Sequence, residues 1–257
     1  MDRFLPNSLL RYVHLVQHVR NWPAYFVFKI GLKRPQFLDF TLRAGLRIEV
    51  PTRVLHEFKE VFFDECYTRG MPKAVPPHSD ILDIGANVGS FSLYAVARFP
   101  GNRVLAFEPD PVNYAQLAKN ASFNPDRNLV IVNEAVGDKS GEARFSNDQQ
   151  VGFTTGGRIV EADAPHAFTV KMVGIDDLFG RYGIRRCGLL KLDCEGAEFP
   201  ILHAASRSVL DRIDQMVIEV HAPKLGGEMS MAGLAAHLEK QGFRTGRHRE
   251  LLWAWHA

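Results

Sequence analysis

The chain has 257 residues, 46% of them hydrophobic and 23% charged, with a formal net charge of +2. That balance describes one large globular domain able to bury a full core, and it argues against a strongly basic nucleic-acid binder. No apolar run approaches the length of a membrane span. Asn7, Arg11, His14, Gln17 and His18 interrupt the first apolar residues, so no signal peptide is expected. The three cysteines, Cys66, Cys187 and Cys194, lack metal-ligand spacing and cannot all pair with one another, which favours a reducing compartment and a cytoplasmic location.

Leu9, Val13, Val16 and Arg20 follow helical spacing and predict one or two amphipathic helices within residues 1–36. A basic helix of this kind can lie on an anionic surface, but packing of its apolar side on the domain is the expectation. Residues 37–43 and 46–50 flank Ala44-Gly45 and predict a hairpin, and residues 54–67 predict a helix with Glu57, Glu60 and Glu65 on its other faces. Pro72, Pro76 and Pro77 then break the chain. Residues 1–79 are thus expected to be a helical and hairpin extension, a lid or buttress on a domain spanning 80–257.

From residue 80 strand and helix signals alternate. Strands are predicted at 81–84, 103–107, 129–133, 189–192 and 216–220. Helices are predicted from about 90, at 111–121 behind Asp110-Pro111, through Phe199 to Leu210, and at 230–240. An antiparallel pair at 243–249 and 251–255 closes the chain. Two extra strands, 141–146 and 167–173, flank a polar, glycine-rich loop at 147–165, long enough to suggest a cover over a substrate. The alternation predicts an α/β, Rossmann-like fold: a mostly parallel seven-stranded sheet with helices on both faces.

The organising stretch is Ile81-Leu82-Asp83-Ile84-Gly85-Ala86-Asn87-Val88-Gly89: strand, glycine turn, then helix. A dinucleotide site wants glycines spaced G-x-G-x-x-G, but Asn87 and Ser90 stand at the second and third places, so a nicotinamide enzyme is disfavoured. A phosphate loop is missing too. Asp83, two residues before the first glycine, repels phosphate and suits an ammonium group. Glu108 ends the next strand, where an acid takes ribose hydroxyls. S-adenosylmethionine fits this pattern, having adenosine, a ribose diol, an amino-acid tail and no phosphate. The alternative for Asp83 is to brace the turn.

Ligands of such sheets sit beyond the carboxyl ends of the strands. Asn133 and Glu134 follow the third strand and face the same ligand. Asp193, Glu195, Glu219 and His221 follow the fourth and fifth, where a methyl acceptor must lie. A carboxylate or imidazole there can take the acceptor's proton, worth typically ~10²–10⁴-fold in rate. Asp193, Glu219 and His221 also permit a divalent metal, magnesium or manganese, though a metal-free base serves equally. The bland alternatives are that Asp193 caps the next helix, Glu195 stabilises its first turn and His221 closes a strand. Glu219, inside an apolar strand, needs a buried partner or a ligand. Cys194 reads as a packing residue.

These stretches resemble the FkbM-type methyltransferases, within the class I S-adenosylmethionine-dependent fold. The resemblance rests on the glycine stretch, Phe107-Glu108-Pro109, and Asn133-Glu134-Ala135-Val136-Gly137-Asp138. Leu190-Lys191-Leu192-Asp193-Cys194-Glu195-Gly196-Ala197-Glu198 is similar to the family's Lys-Ile-Asp-Val-Glu-Gly-Ala-Glu signature, with Cys194 in place of an aliphatic residue. Ile175-Asp176-Asp177-Leu178 and Ile218-Glu219-Val220-His221 match its flanks. The resemblance implies O-methylation of a hydroxyl on a saccharide, glycan, lipid or secondary metabolite. It implies a donor set of Asp83, Gly85, Ala86, Asn87, Gly89, Glu108, Pro109, Asn133, Glu134 and Ala135. Asp193, Glu219, His221 and Glu195 remain the catalytic candidates. A nucleic-acid acceptor is not expected, although Arg244, Arg247, His248 and Arg249 keep that alternative open, as does a scaffold that has lost catalysis.

Overall fold

The computed structural model describes residues 7–147, 152–161, 164, 166–221, 227–248 and 250–256. Parts of the 147–165 loop, Ala222-Pro223 and Arg249 lie outside these. Helices α1 (Asn7–His18) and α2 (Pro23–Lys29) open the chain, with a proline starting α2 where its absent N–H costs no helical bond. β1 (Phe37–Thr41) and β2 (Arg47–Pro51) pair antiparallel, setting Leu38 opposite Val50 and Phe40 opposite Ile48. The period-two alternation buries all four on one face. Helix α3 (Leu55–Phe62) stops earlier than its periodicity predicts. The chain then turns through Glu65, whose φ of 50° is left-handed and incompatible with a continuing helix.

The alternating units follow in order: β3 (Asp80–Ile84), α4 (Ser90–Arg98), β4 (Arg103–Phe107), α5 (Pro111–Ser122) and β5 (Leu129–Val132). Asp110 caps α5, its carboxylate accepting from the Val112 and Asn113 amides. Next come β6 (Ala135–Gly137), β7 (Gly141–Asn147), β8 (Gly157–Val160), β9 (Phe168–Gly174) and α6 (Ile175–Arg181). The chain ends with β10 (Cys187–Leu192), α7 (Glu198–Ala204), α8 (Arg207–Leu210), β11 (Gln215–Glu219), α9 (Met231–Lys240), β12 (Arg244–His248) and β13 (Leu251–Trp255).

The main sheet has the order β12-β13-β11-β10-β3-β4-β5, parallel except for β13, which runs antiparallel to both neighbours. This is the seven-stranded α/β sheet expected. Three features were not predicted. β6 and β8 join β7 and β9 in a second sheet, ordered β6-β9-β7-β8. The helix expected through Leu210 breaks at Ala205 and Ser206, which are extended. Residues 175–181 form a helix.

Both faces of the main sheet are covered. Leu82, Leu105, Phe107, Leu190 and Leu192 face a core completed by α6 to α9. Ile81, Val104, Leu189, Val217 and Trp253 face Leu15, Phe40, Ile48, Phe58 and Phe62 of the N-terminal segment, with Leu93 of α4. Burying one such side chain stabilises by about 1.5–3 kcal/mol. Among the described residues, no helix is long and apolar enough to cross a membrane.

Candidate active site

Sequence order reverses between β3 and β10, because β4 and β5 extend the sheet to one side and β11 to the other. A crevice opens beyond the carboxyl ends of such a pair. Gly85 ends β3 with φ of 80°, and a Cβ there would lie 1.7 Å from the Asp193 carbonyl oxygen at the end of β10. Only glycine lets the two strand ends close on each other. Asn87 (φ 47°) and Gly89 (φ 90°) complete the turn before α4.

The crevice holds about 960 Å³ counting its mouth, the size of a small-molecule site. Among the described residues, its lining contains eight carboxylates and neither lysine nor arginine. On the β4 and β5 side it is walled by Glu108, Pro109 and Ala135; on the β10 and β11 side by Asp193, Glu195, Glu219 and His221. On the first side, Glu108 accepts from the Asn87 and Asp110 amides, both at 2.8 Å. Burial outweighs those bonds and pushes its carboxyl up to about 8.

Of the expected donor set, Gly85, Asn87, Glu108, Pro109, Glu134 and Ala135 line the crevice. Ala86 and Gly89 shape the turn behind it; a Cβ on Gly89 would meet Leu117 at 2.7 Å. Asn133 stands outside the lining and donates to the Glu108 and Pro109 carbonyls. Asp83 is a correction. It is fully buried, accepting from Ser92 at 2.5 Å and lying 3.0 Å from the Lys191 ammonium, so it braces the turn and does not reach the crevice. Burial alone would lower the Lys191 pKa, but Asp83 and Asp193 outweigh it and hold the ammonium above its ordinary value. The same ammonium donates to the Gly85 carbonyl at 2.7 Å and lies 3.5 Å from Asp193.

All four catalytic candidates converge on the other side. The Tyr67 hydroxyl lies 2.7 Å from Glu219 and 3.0 Å from Asp193, sharing its proton between the two carboxylates. Desolvation and the Asp193 charge raise the Glu219 carboxyl, and burial raises Glu195. His221 Nδ1 lies 3.0 Å from Glu198, whose buried carboxylate also accepts from the Cys194 and Gly196 amides. Its Nε2 points to Asp193 (3.9 Å) and Glu195 (3.8 Å). Burial would lower this imidazole, but Glu198, then Asp193 and Glu195, push it up to about 9. Asp193, Glu219 and His221 each offer a ligand atom within 4.8 Å of the others, so this side admits a divalent ion. Burial pushes the Cys194 thiol up, as suits packing rather than attack.

Several site residues escaped the sequence reading. Glu57 and Glu60, one helical turn apart on α3, line the crevice, although helical periodicity alone set them on outer faces. Tyr67 had no signal beyond a phenol in the right neighbourhood, and Glu198, the last acid of the signature stretch, was given no role of its own. The Thr154 carbonyl, in the long loop, accepts from the Asn87 and Asn113 side chains at 2.8 Å, tying that loop to the glycine turn.

A family model described as the methyltransferase FkbM domain matches residues 83–245. The chain belongs to the FkbM methyltransferase family. The 31-O-demethyl-FK506 methyltransferase FkbM of Streptomyces tacrolimicus is 30% identical over 226 residues, covering 77% of this FkbM-family chain and 84% of that protein. The AMB antimetabolite synthetase AmbE of Pseudomonas aeruginosa is 28% identical over 249 residues, covering 81% of this chain; the chain spans only 11% of AmbE. In fold, the chain is similar to the crystal structure of methyltransferase FkbM from Methylobacillus flagellatus KT (TM-score 0.53, 16% identity), covering 97% of this chain and 59% of that one.

Proposed function

We propose that the crevice binds S-adenosylmethionine and that the protein methylates a hydroxyl of a saccharide, glycan, lipid or secondary metabolite. The observation carrying this reading is the contact of Gly85 with Asp193, which joins a ribose-type acid, Glu108, to a cluster of proton acceptors across one crevice. A lining rich in carboxylates, with no lysine or arginine among the described residues, suits a cationic ligand lacking phosphate and opposes a pyrophosphate. A relative named for an oxygen position of FK506 supports a hydroxyl acceptor.

When bound, the donor supplies a methyl group activated by its sulfonium. Glu108 keeps lone pairs beyond its two amide bonds and takes the ribose hydroxyls. Glu219 accepts the proton of the acceptor hydroxyl, its raised basicity matching that task. Tyr67, whose hydroxyl also lies against Asp193, holds Glu219 in place, and Glu198 orients His221 toward the same space. The gain comes mainly from holding the acceptor oxygen in line.

Thermal unfolding with S-adenosylmethionine and, separately, NAD tests the reading. At ~100-fold over its dissociation constant the true ligand adds ~2.7 kcal/mol of stability. A shift with S-adenosylmethionine alone, lost in Glu108→Ala, is expected. A folded wild type that shows no shift at millimolar donor sinks the enzyme reading in favour of a scaffold.

A further inference from the structure

An acid was expected to meet the donor's ammonium group, but Asp83 is occupied by Lys191 and Ser92. Another carboxylate must serve. A small recess lies between α3 and the glycine turn, lined by Glu57, Glu60, Tyr67, Ser90, Lys191 and Asp193 among others. It adjoins the crevice, sharing Glu57, Glu60, Tyr67, Gly85 and Asp193 with it.

Among the described residues, one buried polar atom lining the recess has no partner, the Ser90 hydroxyl, on a residue only 3% exposed; the Asn87 amide oxygen, on the turn lining the adjoining crevice, has none either. Leaving such an atom unpaired costs about 1–3 kcal/mol, and folded proteins seldom leave it so. Glu57 sits beside them, accepting from the Asn87 amide nitrogen at 2.7 Å. Burial, then the Asp193 charge, raise its carboxyl well above the usual range against the pull of Lys191, so a cation seated beside it would favour its ionised form. The recess also brings the first turn of α4, which no side chain caps, together with the α3 carboxylates Glu57 and Glu60. A zwitterion can use both kinds of group.

We propose that this recess receives the amino-acid tail of the methyl donor, with Glu57 accepting from its ammonium group and the Ser90 hydroxyl donating to its carboxylate. The inference rests on the donor reading above. It makes the N-terminal segment part of the donor site as well as a buttress.

Calorimetric titration of the full chain with S-adenosylmethionine and with 5′-methylthioadenosine, which keeps the adenosine and thioether but lacks the tail, tests it. Glu57→Gln is expected to weaken S-adenosylmethionine about tenfold or more and methylthioadenosine less than about threefold, as for a lost hydrogen bond to a charged group. Ser90→Ala removes a hydroxyl unpaired in the free protein, so it keeps the fold, and it is expected to show a smaller loss with the same selectivity. Ser90→Ala decides the matter if Glu57→Gln does not fold. Equal weakening of both ligands, or unchanged donor affinity in the folded variants, overturns the proposal. A wild type that binds the two ligands equally well overturns it too while keeping the adenosine site, whereas one that binds neither sinks the donor reading itself.

Discussion

Along the donor wall the decisive bonds run from backbone amides to one acid, Asn87 and Asp110 to Glu108, within 21 residues of sequence. Along the facing wall they run between side chains far apart in sequence: Tyr67 reaches Asp193 over 126 residues and Glu219 over 152. The first wall depends on where the backbone can go. The second depends on which charges are brought together. Steric changes should therefore break the one, and charge changes the other.

The largest effect is expected from Gly85→Ala. Its Cβ would fall on the Asp193 carbonyl, so the strand ends must part, at a cost of roughly 3 kcal/mol or more in denaturant unfolding. Gly196→Ala is the matched control. Its φ of 105° is strained for alanine, but the nearest atom to a Cβ is 4.0 Å away, so about 1–2 kcal/mol is expected. Equal losses in the two variants would mean that strain, not the Asp193 contact, governs the donor wall.

On the facing wall, Glu219→Gln is expected to slow methyl transfer by ~10²–10⁴-fold. Its melting temperature should stay level or rise, because one member of a repelling carboxylate pair is neutralised. Tyr67→Phe should cost less in rate and more in stability, about 1–3 kcal/mol, since both carboxylates lose their shared donor. Turnover and melting curves on the same samples separate the two cases.

The smallest effect is on pH dependence. Glu108 and Glu60 titrate near 8 and 7, above the ordinary 4.5, through desolvation and, for Glu60, the Glu219 and Asp193 charges. A raised carboxyl keeps its proton in the folded state where the unfolded chain has lost it. The folded state then binds more protons, and stability falls as pH rises from about 4.5 through about 8. Melting of the ligand-free protein should drop by a few degrees between about pH 5 and 8.5. Glu60→Gln should flatten only the part below about pH 7.

Much of the fold was legible because neighbours along the chain carry it. The strand at 103–107 and the helix from Pro111 appeared where apolar runs and Asp110-Pro111 put them. β8 was not legible, since Gly157–Val160 has two exposed residues flanked by half-buried ones and no clear period. α3 ended early because the left-handed turn at Glu65 leaves no mark in a hydrophobic pattern. Glu57 and Glu60 were missed for a related reason: spacing shows that they share a face but not whether it meets water or a crevice.

By itself the sequence determined the seven-stranded sheet, the glycine turn and the acid-bearing strand ends, because periodicity and glycine placement record what each residue does to its own backbone. Only the tertiary structure decided which acids are spent and which are free. Lys191 and Asp83 lie on adjacent strands β10 and β3, opposite each other in register, and a buried ammonium must take the nearest carboxylate. That pairing removes Asp83 from the crevice and leaves Glu57, Glu219 and Asp193 facing it.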